Sequence, residues 1–216
     1  MNNLRLLTIA ELLKGSDKVI DVGCDHAYLC IELLRKQYVN YVYNVDINQK
    51  PLEQGMLNSK KLLSSNNYEF ILNKGLENLT IEADAISISG MGAKNIISII
   101  ENSTIKPKFY VIQANNNSYL IREYIKNNNG IILDEIIVFE DNHYYEIIKF
   151  SLNNLKTNIN NKRDLYLGVK FIQNHLTINY FKNRYFYLKN IYSDKLSNNL
   201  KEELFILEKY LLDNNL

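Results

Sequence analysis

The 216-residue chain has no run of the roughly 18 consecutive apolar residues that a membrane-spanning helix requires, which excludes helical membrane insertion. Cysteine is scarce. Cys24 and Cys30 are the whole complement, and their spacing is not that of a metal-binding pair. They read as reduced thiols filling small spaces. The three histidines, His26, His143 and His175, are scattered without ligand spacing, so no metal is expected. Residues Met1 to Leu7 lack a signal-peptide pattern, and a cytoplasmic location is expected. No obligate protein partner is evident either.

Net charge is also lacking, at +1, but it is unevenly spread. Residues 1–155 carry −3, whereas residues 156–216 carry +4 and residues 156–195 alone +6. A basic arm beside a slightly acidic body suits a polyanionic partner; the plainer reading is a solvated helix face.

What is present is a strand–helix alternation. Leu4, Leu7, Ile9, Leu12 and Leu13 mark a first helix, ended by Gly15-Ser16. Strands are expected at 18–22, 41–46, 68–72, 85–89 and 109–113, each followed by an amphipathic or loop segment. The helix at about 118–128 ends in asparagines and Gly130, which reads as its C-cap. The alternation then breaks. Ile131 to Phe139 and Tyr144 to Leu152 are strand-like with no room for a helix between them, so they predict an antiparallel hairpin. Five βα units closed by such a hairpin describe the methyltransferase version of the doubly wound α/β sheet, whereas a dehydrogenase would continue with a sixth parallel strand.

After a polar link the remainder reads as two helical arms. One carries Leu165, Val169, Ile172, Leu176, Phe181, Tyr185, Leu188 and Tyr192; the other carries Leu196, Leu200, Leu204, Leu207 and Leu211. Steps of three and four predict an antiparallel, coiled-coil-like two-helix domain with a turn at Ser193-Asp194. The expected division is a Rossmann-like domain at 1–155 and a helical hairpin at 156–216.

The chemistry concentrates in Asp21-Val22-Gly23-Cys24-Asp25-His26-Ala27-Tyr28-Leu29, a strand end, tight turn and helix start. A second acid, Asp46, ends the next strand, 25 residues on, a spacing that suits one βαβ unit holding an adenosine ligand. The generic acidic-x-Gly-x-Gly-x-Gly loop keeps one glycine here, with Asp25 and Ala27 at the later two places. A carboxylate where pyrophosphate would approach argues against a dinucleotide and is tolerated by S-adenosyl-L-methionine (SAM). Asp46 is assigned to the ribose with Asn48 beside the adenine, and Asp21 or its backbone neighbours to the methionine ammonium. His26 is open between base, cofactor or substrate contact and local structure, and Tyr28 reads as wall. Ser89-Gly90-Met91-Gly92 closes strand four, where this fold presents the transferred methyl, and Gln113-Ala114-Asn115 closes strand five with amides able to read a base edge. The (Asp/Asn/Ser)-Pro-Pro-aromatic motif of enzymes that methylate adenine N6 is absent.

With Leu4-Arg5-Leu6-Leu7, the loop 21–29, Val45-Asp46-Ile47-Asn48, Gly75-Leu76, 89–92, 113–115 and Tyr145-Glu146-Ile147-Ile148 in this order, the chain resembles the bacterial tRNA (adenine-22-N1)-methyltransferase family over essentially its whole length. The resemblance implies methyl transfer from SAM to adenine N1 in the tRNA D-loop. It implies a cofactor site of Asp21, Gly23, Asp25, His26, Asp46, Ile47, Asn48, Gly75, Leu76, Ser89, Gly90 and Met91. Asp25, His26 and Asn115 are the catalytic candidates, without assignment between them. Substrate contacts are expected at Arg5, Tyr28, Gly92 and Asn115, and on the arm at Lys162, Arg163, Lys170, Lys182, Arg184 and Lys189. The chain departs from the family pattern at Cys24, Cys30, Lys74, Ala93 and Ala114. Lys74 matters most, because an acid there would face the adenine. Two rivals stand beside this reading. One is a SAM methyltransferase for another RNA or a small molecule, its tail an oligomerisation hairpin. The other is a non-catalytic RNA-binding protein on the same scaffold.

Overall fold

The computed structural model describes residues 3–153, 156–191 and 197–215. Apolar runs of period two become the strands and the amphipathic segments between them the covering helices. The order is α1 (Leu4–Leu13), β1 (Lys18–Val22), α2 (Tyr28–Arg35), β2 (Tyr41–Asp46), α3 (Gln49–Leu62), β3 (Tyr68–Leu72), β4 (Ala85–Met91), α4 (Ala93–Glu101), β5 (Phe109–Ala114), α5 (Ser118–Asn127), β6 (Ile131–Glu140) and β7 (His143–Ser151). Then come α6 (Lys162–Leu167), α7 (His175–Asn190) and α8 (Asn198–Asp213).

The strands form one seven-stranded sheet in the order β3-β2-β1-β4-β5-β7-β6. The first five are parallel, and β7 enters antiparallel between β5 and β6, as the hairpin pattern predicted. Alternate side chains supply two cores. Ile20, Ile86 and Ile112 pack against Ile96 of α4 and Ile121 of α5, while Val19, Val42 and Val111 pack against Leu13 of α1 and Leu33 of α2. The chain order reverses between β1 and β4, which opens a crevice at their C-terminal ends.

The tail differs from the expected single first arm. An Asn161–Asp164 capping box starts α6, and α6 stops at Gly168; a new N-cap, Asn174, accepts from the Thr177 amide to start α7. Val169 packs on the sheet core, but Ile172 is 75% exposed in the connection rather than part of a stripe. The apolar period ran on through the break because both helices bury leucine and aromatic side chains at the same spacing. Phe181, Tyr185 and Leu188 of α7 pack with Leu207 and Leu211 of α8 in a third core. Tyr192, Leu196 and the turn expected at Ser193-Asp194 lie outside the described residues, as do Asn154 and Leu155 of the link.

Asn129, not Gly130, takes the left-handed conformation after α5 (φ 53°). Gly130 is required by crowding instead, since a Cβ there would lie 2.7 Å from a Leu152 methyl carbon and 2.8 Å from the Ser151 carbonyl oxygen.

One polar cluster ties the tail to the sheet. Arg122 of α5, 1% exposed, donates from Nε to Glu135 (2.6 Å), from Nη2 to Glu146 (2.5 Å) and from Nη1 to the Leu165 carbonyl (3.1 Å). Glu135 also accepts the backbone N–H groups of Val169 (2.6 Å) and Lys170 (2.9 Å), and Tyr180 of α7 donates to Glu146. Burying a guanidinium is tolerable only with this degree of pairing.

Candidate active site

The loop after β1 crosses to β2: the amides of Gly23 and Cys24 both donate to the Val45 carbonyl, at 2.8 and 3.2 Å. It has left-handed backbone at Gly23 (φ 75°), Asp25 (φ 46°) and Ala27 (φ 59°). Those are the three glycine places of the generic loop, so its shape persists where glycine does not. Gly23 is constrained twice, because a Cβ there would also meet Met91 Cε at 2.4 Å.

Asp46 closes β2, 8% exposed, with Oδ2 accepting from the Asp25 amide (3.2 Å) and Oδ1 from the Asn48 amide (2.9 Å). Asp21 is buried, and burial pushes its carboxyl up to about 7; the Ser87 hydroxyl alongside opposes this and the charge of Asp46 reinforces it. Burial likewise raises the Cys24 and Cys30 thiols, and both are free. Cys24 lines the cleft beside these acids, and Cys30 accepts from Asn44 Nδ2 at 3.4 Å in the core.

Around these acids lies a cleft of about 720 Å³, within the range of small-molecule sites (about 300–1,000 Å³). Every expected cofactor residue lines it except Leu76, which is wholly buried in the sheet core. Arg5 and Tyr28 line it as well. Asp25 and His26 stand at its mouth, His26 Nε2 3.7 Å from Asp25 Oδ1. Gly92 instead caps α4, and Asn115 lines a neighbouring cavity.

The end of β4 is shaped by a register shift between Ser89 and Met91, with Gly90 at φ 77° and open space around it. Gln113 holds this bulge, its Oε1 accepting from the Gly90 amide (3.2 Å) and from Arg5 (2.9 Å) and its Nε2 donating to Asn115 Oδ1 (3.1 Å). Asn115 returns a bond from Nδ2 to the Gly90 carbonyl at 2.7 Å. Arg5 also lies over the Tyr145 ring, 5.0 Å from its centroid.

The sequence pattern alone does not reveal Asn73 and Glu77 of the cleft wall. Asn73 Nδ2 bonds the carbonyls of Gly75 and Glu77, both at 3.0 Å, and Lys74 pairs with Glu77 at 2.9 Å. The Asn-x-Gly turn after β3 is the signal that could have found them. On the tail, the expected outward row of cations is divided. Lys162 and Arg163 lie on α6 and Lys170 follows it, while Lys182, Arg184 and Lys189 lie on α7. Lys162 pairs with Glu202 and Arg184 with Glu203, both of α8, so these two charges brace the helices; Lys189 caps the Tyr185 hydroxyl at 2.8 Å. Arg163, Lys170 and Lys182 have no ion-pair partner among the described residues. Among those residues there is also no cluster suited to a metal ion and no helix long and apolar enough to cross a membrane.

A doubly wound sheet closed by an antiparallel hairpin, with acids ending β1 and β2 beside its switch point, defines a methyltransferase scaffold. The chain belongs to the methyltransferase domain family, whose model matches residues 2–148. It is 30% identical over 149 residues to a putative tRNA methyltransferase of Mycoplasma genitalium, covering 67% of each chain. It is also 30% identical over 155 residues to the tRNA (adenine(22)-N(1))-methyltransferase of Bacillus subtilis, covering 67% of this chain and 62% of that one. Among solved structures, M. capricolum TrmK in complex with S-adenosyl-homocysteine superposes with a TM-score of 0.85 at 30% identity, over 98% of both chains.

Proposed function

We propose that the protein transfers the methyl group of SAM to N1 of adenine 22 in tRNA. The observation that carries this reading is the likeness, over 98% of both chains, to a TrmK that holds the cofactor product, joined to a cleft whose donor set fits that cofactor. The carboxylate of Asp46 is held by two backbone amides with lone pairs left for ribose hydroxyls. Asp21, buried and poised near neutrality, suits a ligand ammonium, whose positive charge would favour the ionised carboxylate. Gly23 lets Met91 pack directly against the loop backbone, which joins the β1 and β4 sides of the cleft.

SAM, when bound, supplies an electrophilic methyl on a sulfonium. Adenine N1 carries an in-plane lone pair once its base pairing is broken, so no general base is required before attack. The task of the chain is to unpair the base, align N1 with the methyl and exclude water. The Gln113 network fixes the Ser89–Met91 wall against which that alignment is made. Positive charge develops on the adenine, and Asp25 at the cleft mouth, with His26 beside it, is placed to stabilise it. Asn115 acts by bracing Gly90, because both its amide groups are already engaged. The tail hairpin supplies phosphate contacts through Arg163, Lys170 and Lys182.

Incubation with methyl-labelled SAM and total tRNA, followed by nucleoside identification, tests the reading. N1-methyladenine in tRNA is expected. Label in another RNA, or SAM binding without transfer to tRNA, would overturn it.

A further inference from the structure

A second cavity, of about 260 Å³, lies where the β5–α5 loop meets the helical tail. Its walls come from six elements and that loop: Ala114 of β5, Asn115 to Asn117, Tyr119 of α5, Tyr144 and Glu146 of β7, Tyr166 of α6, Tyr180 and Arg184 of α7, and Glu203 of α8. It adjoins the cofactor cleft through Asn115, whose amide is bonded to Gly90 of that cleft.

Its chemistry selects a ligand. The two cations in its wall are already engaged: Arg122 on Glu135 and Glu146, and Arg184 on both carboxylate oxygens of Glu203, at 2.6 and 2.8 Å. A phosphate would find no uncommitted positive charge among these side chains. Four tyrosines offer flat aromatic surface instead. Tyr119 and Tyr166 stack on each other with centroids 5.2 Å apart, and Tyr144 packs against Tyr180 at 5.5 Å. The carboxamides of Asn116 and Asn117 are exposed at the rim, where they can donate to and accept from a ring edge. Aromatic faces with a few carboxamides are how unpaired bases are held, and the volume, just below the usual range for drug-sized ligands (about 300–1,000 Å³), suits one planar ring system.

We propose that this cavity is a second nucleobase subsite, taking an unpaired base that flanks the methylated adenosine while the adenosine itself enters the cofactor cleft. The proposal rests on the tRNA reading above. It gives the tail a role beyond phosphate contact, since α6, α7 and α8 supply part of the subsite wall.

The test uses full-length protein and tRNA carrying 4-thiouridine at either position next to adenosine 22. Irradiation should cross-link the peptide containing Tyr119 or that containing Tyr166. Cross-links confined to other peptides, with the same tRNA still methylated, would overturn the subsite and leave the activity standing. Absence of methylation by the wild-type protein would remove the activity and the subsite together. In parallel, Tyr119→Ala should raise KM for tRNA about tenfold, with SAM affinity unchanged as the check that it is folded, and Tyr119→Phe should restore it. A wild-type KM in Tyr119→Ala, or an equal defect in Tyr119→Phe, overturns base stacking; the latter assigns the effect to the hydroxyl that accepts from Asn199.

Discussion

The backbone amide of Asp25 donates to Oδ2 of Asp46 at 3.2 Å, so the carboxylate that ends β2 also anchors the loop that follows β1. Asp46→Ala therefore removes a ligand for the ribose and a strut for the loop at once. Its SAM affinity should fall by about 1–3 kcal/mol, the usual cost of losing charge-assisted hydrogen bonds. Asp46→Asn, which keeps an acceptor, should lose less. Calorimetric titration with SAM checks both, and unchanged affinity in a folded Ala variant would remove the ribose assignment.

Asp21 gives a pH signature. Its folded-state pKa, near 7, lies above the ordinary carboxylate value of 3.8. Between those values the folded chain holds a proton that the unfolded chain has released, so this group makes stability fall as pH rises from about 4 to 7. Asp21→Asn should flatten that slope and stabilise the unliganded protein at pH 8 by a few kcal/mol, because a carboxyl that titrates one pH unit higher on folding costs about 1.4 kcal/mol once ionised. The same variant should bind SAM more weakly. Denaturant melts across pH check the first point; a slope equal to the wild type's would refute it.

The methylated atom is open to direct measurement. Without a Pro-Pro-aromatic motif after β4, and with Ser89-Gly90-Met91-Gly92 in its place, the product should be N1-methyladenine. Chromatography with mass spectrometry separates it from the N6 isomer. A predominance of N6 product would mean that the bulge at Gly90 positions the amine instead.

Surface charge on the tail is divided between bracing and free cations. Charge reversal at Lys170 and Lys182 should weaken tRNA binding and reduce its salt slope by roughly 0.9 for each phosphate no longer neutralised, with SAM binding intact. Arg184→Glu should instead lower the melting temperature, because it sets two carboxylates together at Glu203. If the Lys170/Lys182 variant binds tRNA like the wild type across a salt series, these residues are a solvated face.

We place the separable cofactor unit beyond residue 155. Ile159 and Leu165 are buried in the core that α4 and α5 share with the sheet, and Phe171 lies under the Arg122 guanidinium at 5.4 Å. A fragment ending at 153 should be several kcal/mol less stable than one ending at 173, since it loses two buried apolar side chains and strips partners from a buried charge. The longer fragment should fold and bind SAM but lose tRNA affinity. Equal melting of the two would return the boundary to 155.

The sheet and the acids at its switch point were legible because each follows from local pattern: alternation, a hairpin too short for a helix, and carboxylates at strand ends. Residues whose roles depend on distant partners were not. Arg122 sits in a segment that reads as an amphipathic surface helix, and its burial is decided by Glu135 and Glu146 on other strands. Leu76 follows a loop glycine yet faces the core, because the turn at Asn73 swings Gly75 and Glu77 to the cleft. The break between α6 and α7 was written in its caps, Gly168 and Asn174, but masked by an apolar period common to both sides.

Arg122 also sets an order of assembly. The ribosome makes α5 before Glu135, Glu146 and Leu165, and a guanidinium cannot leave water until its partners have arrived. Until the segment carrying Leu165 docks, the seat of α5 against β6 and β7 is incomplete. The chain after β7 is thus needed to finish the body of the protein, and not only to add a tail to it.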